Sequence, residues 1–516
     1  MEAYRVENLT FKYPTGERNV LEGVSFSAEV GSFVTLCGES GSGKSTLLGL
    51  MKPSVSPFGE KSGDILYFGK SLEDGAIDTD IGFVSQDPDN TLVTDRVKTE
   101  LAFGLENIGT EPSEIRRRVA EICAFFGIEG LYERYTSSLS GGEKQLVALA
   151  SVLCMKPRVL LLDEPLSQLD PVAATSFCSI LGRICRELGI TVIISEHSLA
   201  ELLPMSDKVI VLEKGRVIFD GEPSLCPSAL KKRGSHMFDA MPVPAKLYVS
   251  AGFDGRCPLD IRDGRRFIES LPEERIAGLA ENKSAAVKKA SSEIAVRLCD
   301  VYFRYTKDSE DVLEGLCLDI KRGIHTAVVG SNGTGKSTLL SIISGEYSPI
   351  YGKVKREKNL KFARLPQSPL LLFTENSVRE DFATVCRDWN TVTRLCRELD
   401  TENLLDSHPA DISGGELQRA AICKLLFTNP DVLLLDEPTK GMDFFAKARL
   451  GEMLRRLTEK GCTVVTVSHD IEFCAEYSDE CTMLFRGKAV AGGEPHKFFA
   501  ENFVYTTAKE RLLYPR

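Results

Sequence analysis

Two stretches of this chain are Gly-rich phosphate loops, and both fit G-x-x-x-x-G-K-[ST]. The first is Gly38-Glu39-Ser40-Gly41-Ser42-Gly43-Lys44-Ser45-Thr46, and the second is Gly330-Ser331-Asn332-Gly333-Thr334-Gly335-Lys336-Ser337-Thr338. Glycines let successive backbone N–H groups turn inward around phosphate oxygens, and a helix starting at the lysine adds its positive dipole end. Lys44 and Lys336 are placed to reach β- and γ-phosphates, and the Ser45 and Ser337 hydroxyls suit Mg²⁺. Each loop follows an apolar, strand-like run, Phe33-Val34-Thr35-Leu36 or Thr326-Ala327-Val328-Val329. Strand, phosphate loop and helix together confine the fold to the α/β class. A single Gly-rich turn has a purely structural explanation, but two copies followed by the same motifs in the same order do not.

Further along each copy, an apolar strand ends in Leu162-Asp163-Glu164-Pro165 or Leu435-Asp436-Glu437-Pro438. This is the Walker B pattern. Its aspartate stands at the carboxyl end of a buried strand, where α/β sheets place ligands. Asp163 and Asp436 are therefore expected to hold Mg²⁺. Glu164 and Glu437 are expected to orient and polarise an attacking water. Between loop and Walker B lie Leu139-Ser140-Gly141-Gly142-Glu143 and Ile412-Ser413-Gly414-Gly415-Glu416.

The L-S-G-G-[EQ] run in that position resembles the signature of ATP-binding-cassette ATPases. The resemblance covers most of the chain, and it implies an α/β fold with two P-loop NTPase cassettes. Each would have a RecA-like core, an antiparallel β subdomain and a helical subdomain. The implied boundaries are 4–222 for the first cassette, 223–293 for a linker with some appended structure, 294–495 for the second cassette and 496–516 for a C-terminal tail. Other family elements map one by one. Gln86 and Gln367 match the Q-loop glutamine, shared between nucleotide and Mg²⁺. Asp170 and Asp443 match the D-loop aspartate, and His197 and His469 the switch histidine. Tyr13 and Tyr305 match the aromatic that stacks on adenine. In this family a signature caps the γ-phosphate held by the opposite cassette. Two composite ATP sites are thus implied, one joining Lys44, Ser45, Gln86, Asp163, Glu164 and His197 to Ser413, Gly414 and Gly415. The other joins Lys336, Ser337, Gln367, Asp436, Glu437 and His469 to Ser140, Gly141 and Gly142. Ile412, where the family usually has Leu, is the one departure.

The segment after the first Q-loop narrows the resemblance. Gln86-Asp87-Pro88-Asp89-Asn90 leads to Glu100-Leu101-Ala102-Phe103-Gly104-Leu105-Glu106-Asn107. This run is similar to that of energy-coupling-factor ATPases, which drive uptake of vitamins and of cobalt or nickel ions. The second copy lacks the Phe-Gly…Glu-Asn tail. The resemblance implies integral membrane partners, a coupling subunit plus a substrate-binding subunit, and a peripheral position on the cytoplasmic face of the membrane. Acidic residues after each Q-loop (Asp87, Asp89, Asp95, Glu100; Glu375, Glu380, Asp381) are expected to receive arginine-bearing partner helices. The alternative is a soluble two-cassette translation factor acting on ribosomes. Such proteins usually carry a long helical arm between cassettes. Met241-Pro242-Val243-Pro244 and Gly252-Phe253-Asp254-Gly255 do not read as one. The ATPase of an ordinary importer or exporter is a third reading.

Composition agrees with a globular ATPase. Hydrophobic residues make up 43% and charged residues 27%, enough for ample cores. A formal net charge of −11 argues against a chain-wide nucleic-acid footprint. The 15 cysteines include no C-x-x-C pair and sit mostly in apolar contexts, as reduced packing residues do. No export signal is read at Met1-Glu2-Ala3-Tyr4-Arg5, and no apolar run is long enough to span a bilayer. Membrane contact is thus expected only through partners.

Overall fold

The structure, a computed structural model, describes residues 1–516 apart from 15, 17, 73–77, 87–90, 168, 198, 273–274, 277–292, 332, 504 and 514–516. The chain divides into two compact units, Met1–Phe267 and Ile268–Arg516.

In the first unit, strand Phe33–Gly38 is buried along its whole length and feeds the phosphate loop. It lies between Thr191–Ser195 and Lys208–Glu213 in a six-stranded sheet. Val159–Asp163 and Ile81–Val84 extend the sheet in parallel, while Arg216–Gly221 closes the far edge antiparallel. The inner strands are near-continuous apolar runs because helices cover both faces of a parallel sheet. A second sheet, antiparallel, pairs Glu2–Lys12 with Leu21–Glu29 and Glu60–Tyr67. Its strands alternate buried and exposed positions, as a one-sided sheet requires. Between the Q-loop and the Walker B strand stands a helical layer of Val97–Asn107, Pro112–Phe126 and Gly141–Cys154. Leu101, Leu105, Val119, Cys123, Val147 and Ala150 belong to its shared core.

The second unit repeats this plan. Strand His325–Val329 lies between Thr463–Val467 and Glu480–Phe485, with Val432–Asp436 and Phe362–Leu365 beyond. Its antiparallel sheet has three strands, Leu313–Lys321, Ile294–Phe303 and Tyr351–Arg356. The helical layer is Val378–Val385, Trp389–Leu399 and Gly414–Leu426.

The early part of the segment between cassettes is built into the first unit. Helices Cys226–Arg233 and Val243–Ser250 bury Cys226, Leu230 and Ala245, with Met237 and Phe238 between them. In the terminal region, Phe498 and Phe499 pack with Ala327, Val329, Cys474 and Cys481. The described cysteines are all free thiols, and most are buried. No described helix is long and apolar enough to cross a membrane.

Candidate active sites

Each phosphate loop begins where its central strand ends and closes into the helix Lys44–Leu50 or Lys336–Ser344. The residue before each helix must be glycine. Gly43 has φ 101° and Gly335 φ 93°, and a Cβ there would come within 3.0 Å of Val20 O or 2.8 Å of Val312 O. Lys44 Nζ donates to Gly38 O at 3.0 Å and Glu39 O at 3.2 Å. Lys336 Nζ donates likewise to Gly330 O at 3.0 Å and Ser331 O at 2.9 Å. Both ammonium groups are thus held over their own loops. Tyr13 Oη lies 3.1 Å from Thr46 Oγ1, and Tyr305 Oη 2.8 Å from Thr338 Oγ1, which ties each aromatic to the end of its loop. Ser40, Gly41, Ser42, Ser331, Gly333 and Thr334 complete the described loops. Asn332 lies outside the described residues.

In the first unit the predicted chemistry converges on one carboxylate. Glu164 Oε1 stands 2.7 Å from His197 Nε2 and 3.4 Å from Lys44 Nζ, while Oε2 accepts from Gln86 Nε2 at 3.1 Å. Burial raises its pKa, but His197 and Lys44 outweigh that and keep it below the usual carboxylate value. Asp163 accepts a 2.6 Å bond from Ser195 Oγ and is also bonded by Ser45. Burial nevertheless pushes its pKa up.

The second unit gathers the same residue types differently. Glu437 Oε2 accepts from His469 N at 3.1 Å, and Oε1 lies 3.2 Å from His469 Nε2. Lys336 Nζ reaches that same imidazole nitrogen at 3.2 Å. Burial pushes Glu437 up to about 7, against the pull of the His469 N–H and Lys336. Gln367 is exposed, unlike Gln86. Asp436 is buried and bonded by Ser337, yet its Oδ2 makes no hydrogen bond. A carboxylate oxygen left free beside a hydroxyl suits a hard divalent cation such as Mg²⁺.

The signature residues sit at helix starts. Ser140 Oγ accepts from Glu143 N while Glu143 Oε2 accepts from Ser140 N, and Ser413 pairs with Glu416 in the same way. Both are capping boxes, so the motif has a local structural role as well. Gly415 also lies so close to the D-loop that a Cβ would fall 2.3 Å from Gly441 O. The D-loop aspartates cap the next helices, Asp170 accepting from Ala173 N and Asp443 from Ala446 N.

Two expectations about the partner surface are corrected. Glu100 is buried and accepts from Val93 N at 3.1 Å and Thr94 N at 2.8 Å. Asp381 is fully buried, pairs with Lys424 Nζ at 2.6 Å and accepts from Thr374 N and Glu375 N. Both satisfy the amides of the loop before their helix, so neither faces a partner. Asp95, Glu375 and Glu380 are exposed. Asp87 and Asp89 lie outside the described residues.

Sequence reasoning also missed Glu196. It is fully buried, accepts from Leu166 N at 2.6 Å and His197 N at 3.1 Å, and burial raises its pKa to about 8. It links the loop after Glu164 to the switch histidine. A carboxylate one residue beyond the apolar run Val192-Ile193-Ile194, after Ser195, was the available signal.

Comparison with known proteins agrees with this architecture. The family model described as "ABC transporter" matches residues 21–167 and 313–440. A Bacillus cereus protein named "Putative ABC transporter ATP-binding protein" is 38% identical over 98% of this chain and 94% of its own length. A Streptomyces coelicolor protein of the same description is 32% identical over 99% of this chain and 97% of its own. Among solved structures, an archaeal ribosome recycling factor, aABCE1, in complex with a ribosomal stalk protein, matches with a TM-score of 0.62. It is 22% identical and covers 96% of this chain and 91% of its own, a likeness of fold. The chain belongs to the ABC transporter family of ATPases and carries two ATP-binding cassettes in one polypeptide.

Proposed function

We propose that this ATPase is the motor of a membrane transporter of the energy-coupling-factor type. It would drive uptake of a vitamin or a transition-metal ion through separate membrane subunits, from the cytoplasmic face of the membrane. One observation carries the reading. Gln86 bonds the Walker B glutamate and opens the segment leading to helix Val97–Asn107, whose sequence resembles that group. A partner resting on this segment acts on Glu164 through one side chain. The naming of full-length relatives as transporter ATP-binding proteins supports the transport half of the reading.

The chemistry is ATP hydrolysis to ADP and phosphate. Lys44 and Lys336 hold the β- and γ-phosphates, with Tyr13 and Tyr305 under the adenine. Mg²⁺ would be held by Ser45, Gln86 and Asp163 or by Ser337, Gln367 and Asp436, and would supply charge neutralisation on the phosphates. Glu164 and Glu437 take the proton of the attacking water, and His197 and His469 position them. Ser140, Gly141 and Gly142 serve the Lys336 site, and Ser413, Gly414 and Gly415 the Lys44 site.

Affinity purification of the tagged protein from native membranes tests the proposal. Integral membrane subunits are expected to copurify. Sedimentation with ribosomes and never with membranes would replace this reading with the translation-factor one.

A further inference from the structure

The two Walker B aspartates have different neighbours on the flanking strands. In the first unit Phe83 pairs in register with Leu161, and in the second Arg364 pairs with Leu434. Leu161 and Leu434 stand at the same distance before Asp163 and Asp436, so Arg364 occupies the place of Phe83. On the opposite flank Asp163 pairs with Ser195, but Asp436 pairs with Val467. A neutral hydroxyl therefore donates to Asp163 at 2.6 Å. No such hydroxyl faces Asp436 from that position. Instead Arg364 Nη2 lies 4.0 Å from Asp436 Oδ2.

The guanidinium does not depend on Asp436 for its place. Arg364 Nη1 donates to Ser341 Oγ at 2.6 Å and to Glu346, and Nη2 donates to Ser337 O at 3.4 Å. Ser337 and Ser341 are successive turns of the helix that begins at Lys336. The cation is thus fixed against the phosphate-loop helix, with its side chain only 18% exposed. A partly desolvated charge is weakly screened and acts strongly on a second cation nearby.

We propose that Arg364 weakens divalent-cation binding at the second ATP site relative to the first through its charge. Asp436 Oδ2 remains free to ligate, so the second site still takes Mg²⁺, but beside a guanidinium, paired on its far side with the half-exposed Glu346, that the first site lacks. The inference rests on the ATPase reading of the two sites and not on transport.

Mn²⁺ binding to the full-length protein with saturating ADP, followed by electron paramagnetic resonance, tests it. Lys44→Ala leaves nucleotide at the second site, and Lys336→Ala leaves it at the first. Mn²⁺ is expected to bind about three- to tenfold more weakly in Lys44→Ala than in Lys336→Ala, from a like charge a few ångströms away. Adding Arg364→Phe to Lys44→Ala is expected to remove that difference, and Arg364→Lys, which keeps the charge, to preserve it. Arg364→Gln serves if the phenylalanine does not fold. Equal Mn²⁺ affinities at the two sites, or no tightening on removing the charge, would overturn the inference. Absence of ADP binding in both lysine variants would overturn the nucleotide reading and this inference with it.

Discussion

Gln86 Nε2 donates to Glu164 Oε2 at 3.1 Å, joining the Q-loop to the carboxylate that follows the Walker B aspartate. His197 and Lys44 approach the other oxygen of the same group. The first site therefore has its proposed base, Glu164, in one bonded set with Gln86, His197 and Lys44. In the second site Lys336 reaches His469, and Gln367 is exposed.

On the proposed mechanism, replacing either glutamate removes the group that takes the water's proton. Glu164→Gln and Glu437→Gln are each expected to lower hydrolysis while nucleotide binding persists. Loss of general-base catalysis costs about 10²–10⁴-fold. Steady-state phosphate release, with nucleotide binding measured in parallel, checks this. Unchanged turnover in the double variant would refute the assignment.

Closure across cassettes has its own test. Ser140 caps a helix in the first unit, yet its proposed phosphate belongs to the Lys336 site. Ser140→Arg is expected to lower photo-crosslinking of an azido-ATP to the second phosphate loop. Ser140→Ala controls for the lost cap, which is worth about 1 kcal/mol. Loss confined to the Lys44 loop would contradict head-to-tail pairing.

Glu196 gives a pH signature. Its folded pKa, about 8, lies above the ordinary glutamate value. Between roughly 4.5 and 8 the folded state holds a proton that the unfolded state releases, so stability from this group falls as pH rises. It is fully present below the unfolded pKa and lost through the folded one. Glu196→Gln cannot ionise, and the dependence of its Tm on pH across that window is expected to be flatter, by on the order of 5 °C. Thermal unfolding of the nucleotide-free protein at several pH values measures it. Parallel curves for wild type and variant would count against the burial argument.

The parallel cores were legible at the Walker B strands because each is a continuous apolar run ending in a motif residue, Val159–Asp163 and Val432–Asp436. Side-chain pairing across strands was not. That Ser195 meets Asp163 while Val467 faces Asp436 depends on register, which no local pattern reveals. The acidic residues after the Q-loops failed for a related reason. By composition Glu100 looks like a solvated helix charge. In the fold, the loop before its helix turns inward, and two backbone amides require an acceptor there.

That correction divides the acidic residues into two groups with opposite expected phenotypes. Asp95, Glu375 and Glu380 are exposed and remain candidates for holding partner arginines. Reversing all three to Lys is expected to release the protein from membranes with ATPase activity and Tm little changed. Asp381 is fully buried with Lys424 Nζ at 2.6 Å. Asp381→Ala leaves that ammonium without its counter-charge in a poorly hydrated site, held only by the Leu372 carbonyl, and removes the acceptor for two loop amides. Breaking one side of a buried pair costs about 3–5 kcal/mol. Glu100→Ala loses only amide acceptors and is expected to cost about 1–3 kcal/mol. Chemical denaturation of the purified variants, set beside membrane fractionation of the same proteins, separates the groups. Membrane association and uptake that both survive the triple reversal would remove these carboxylates from the docking surface. An unchanged unfolding midpoint in Asp381→Ala would show that the Lys424 pair does not hold the loop.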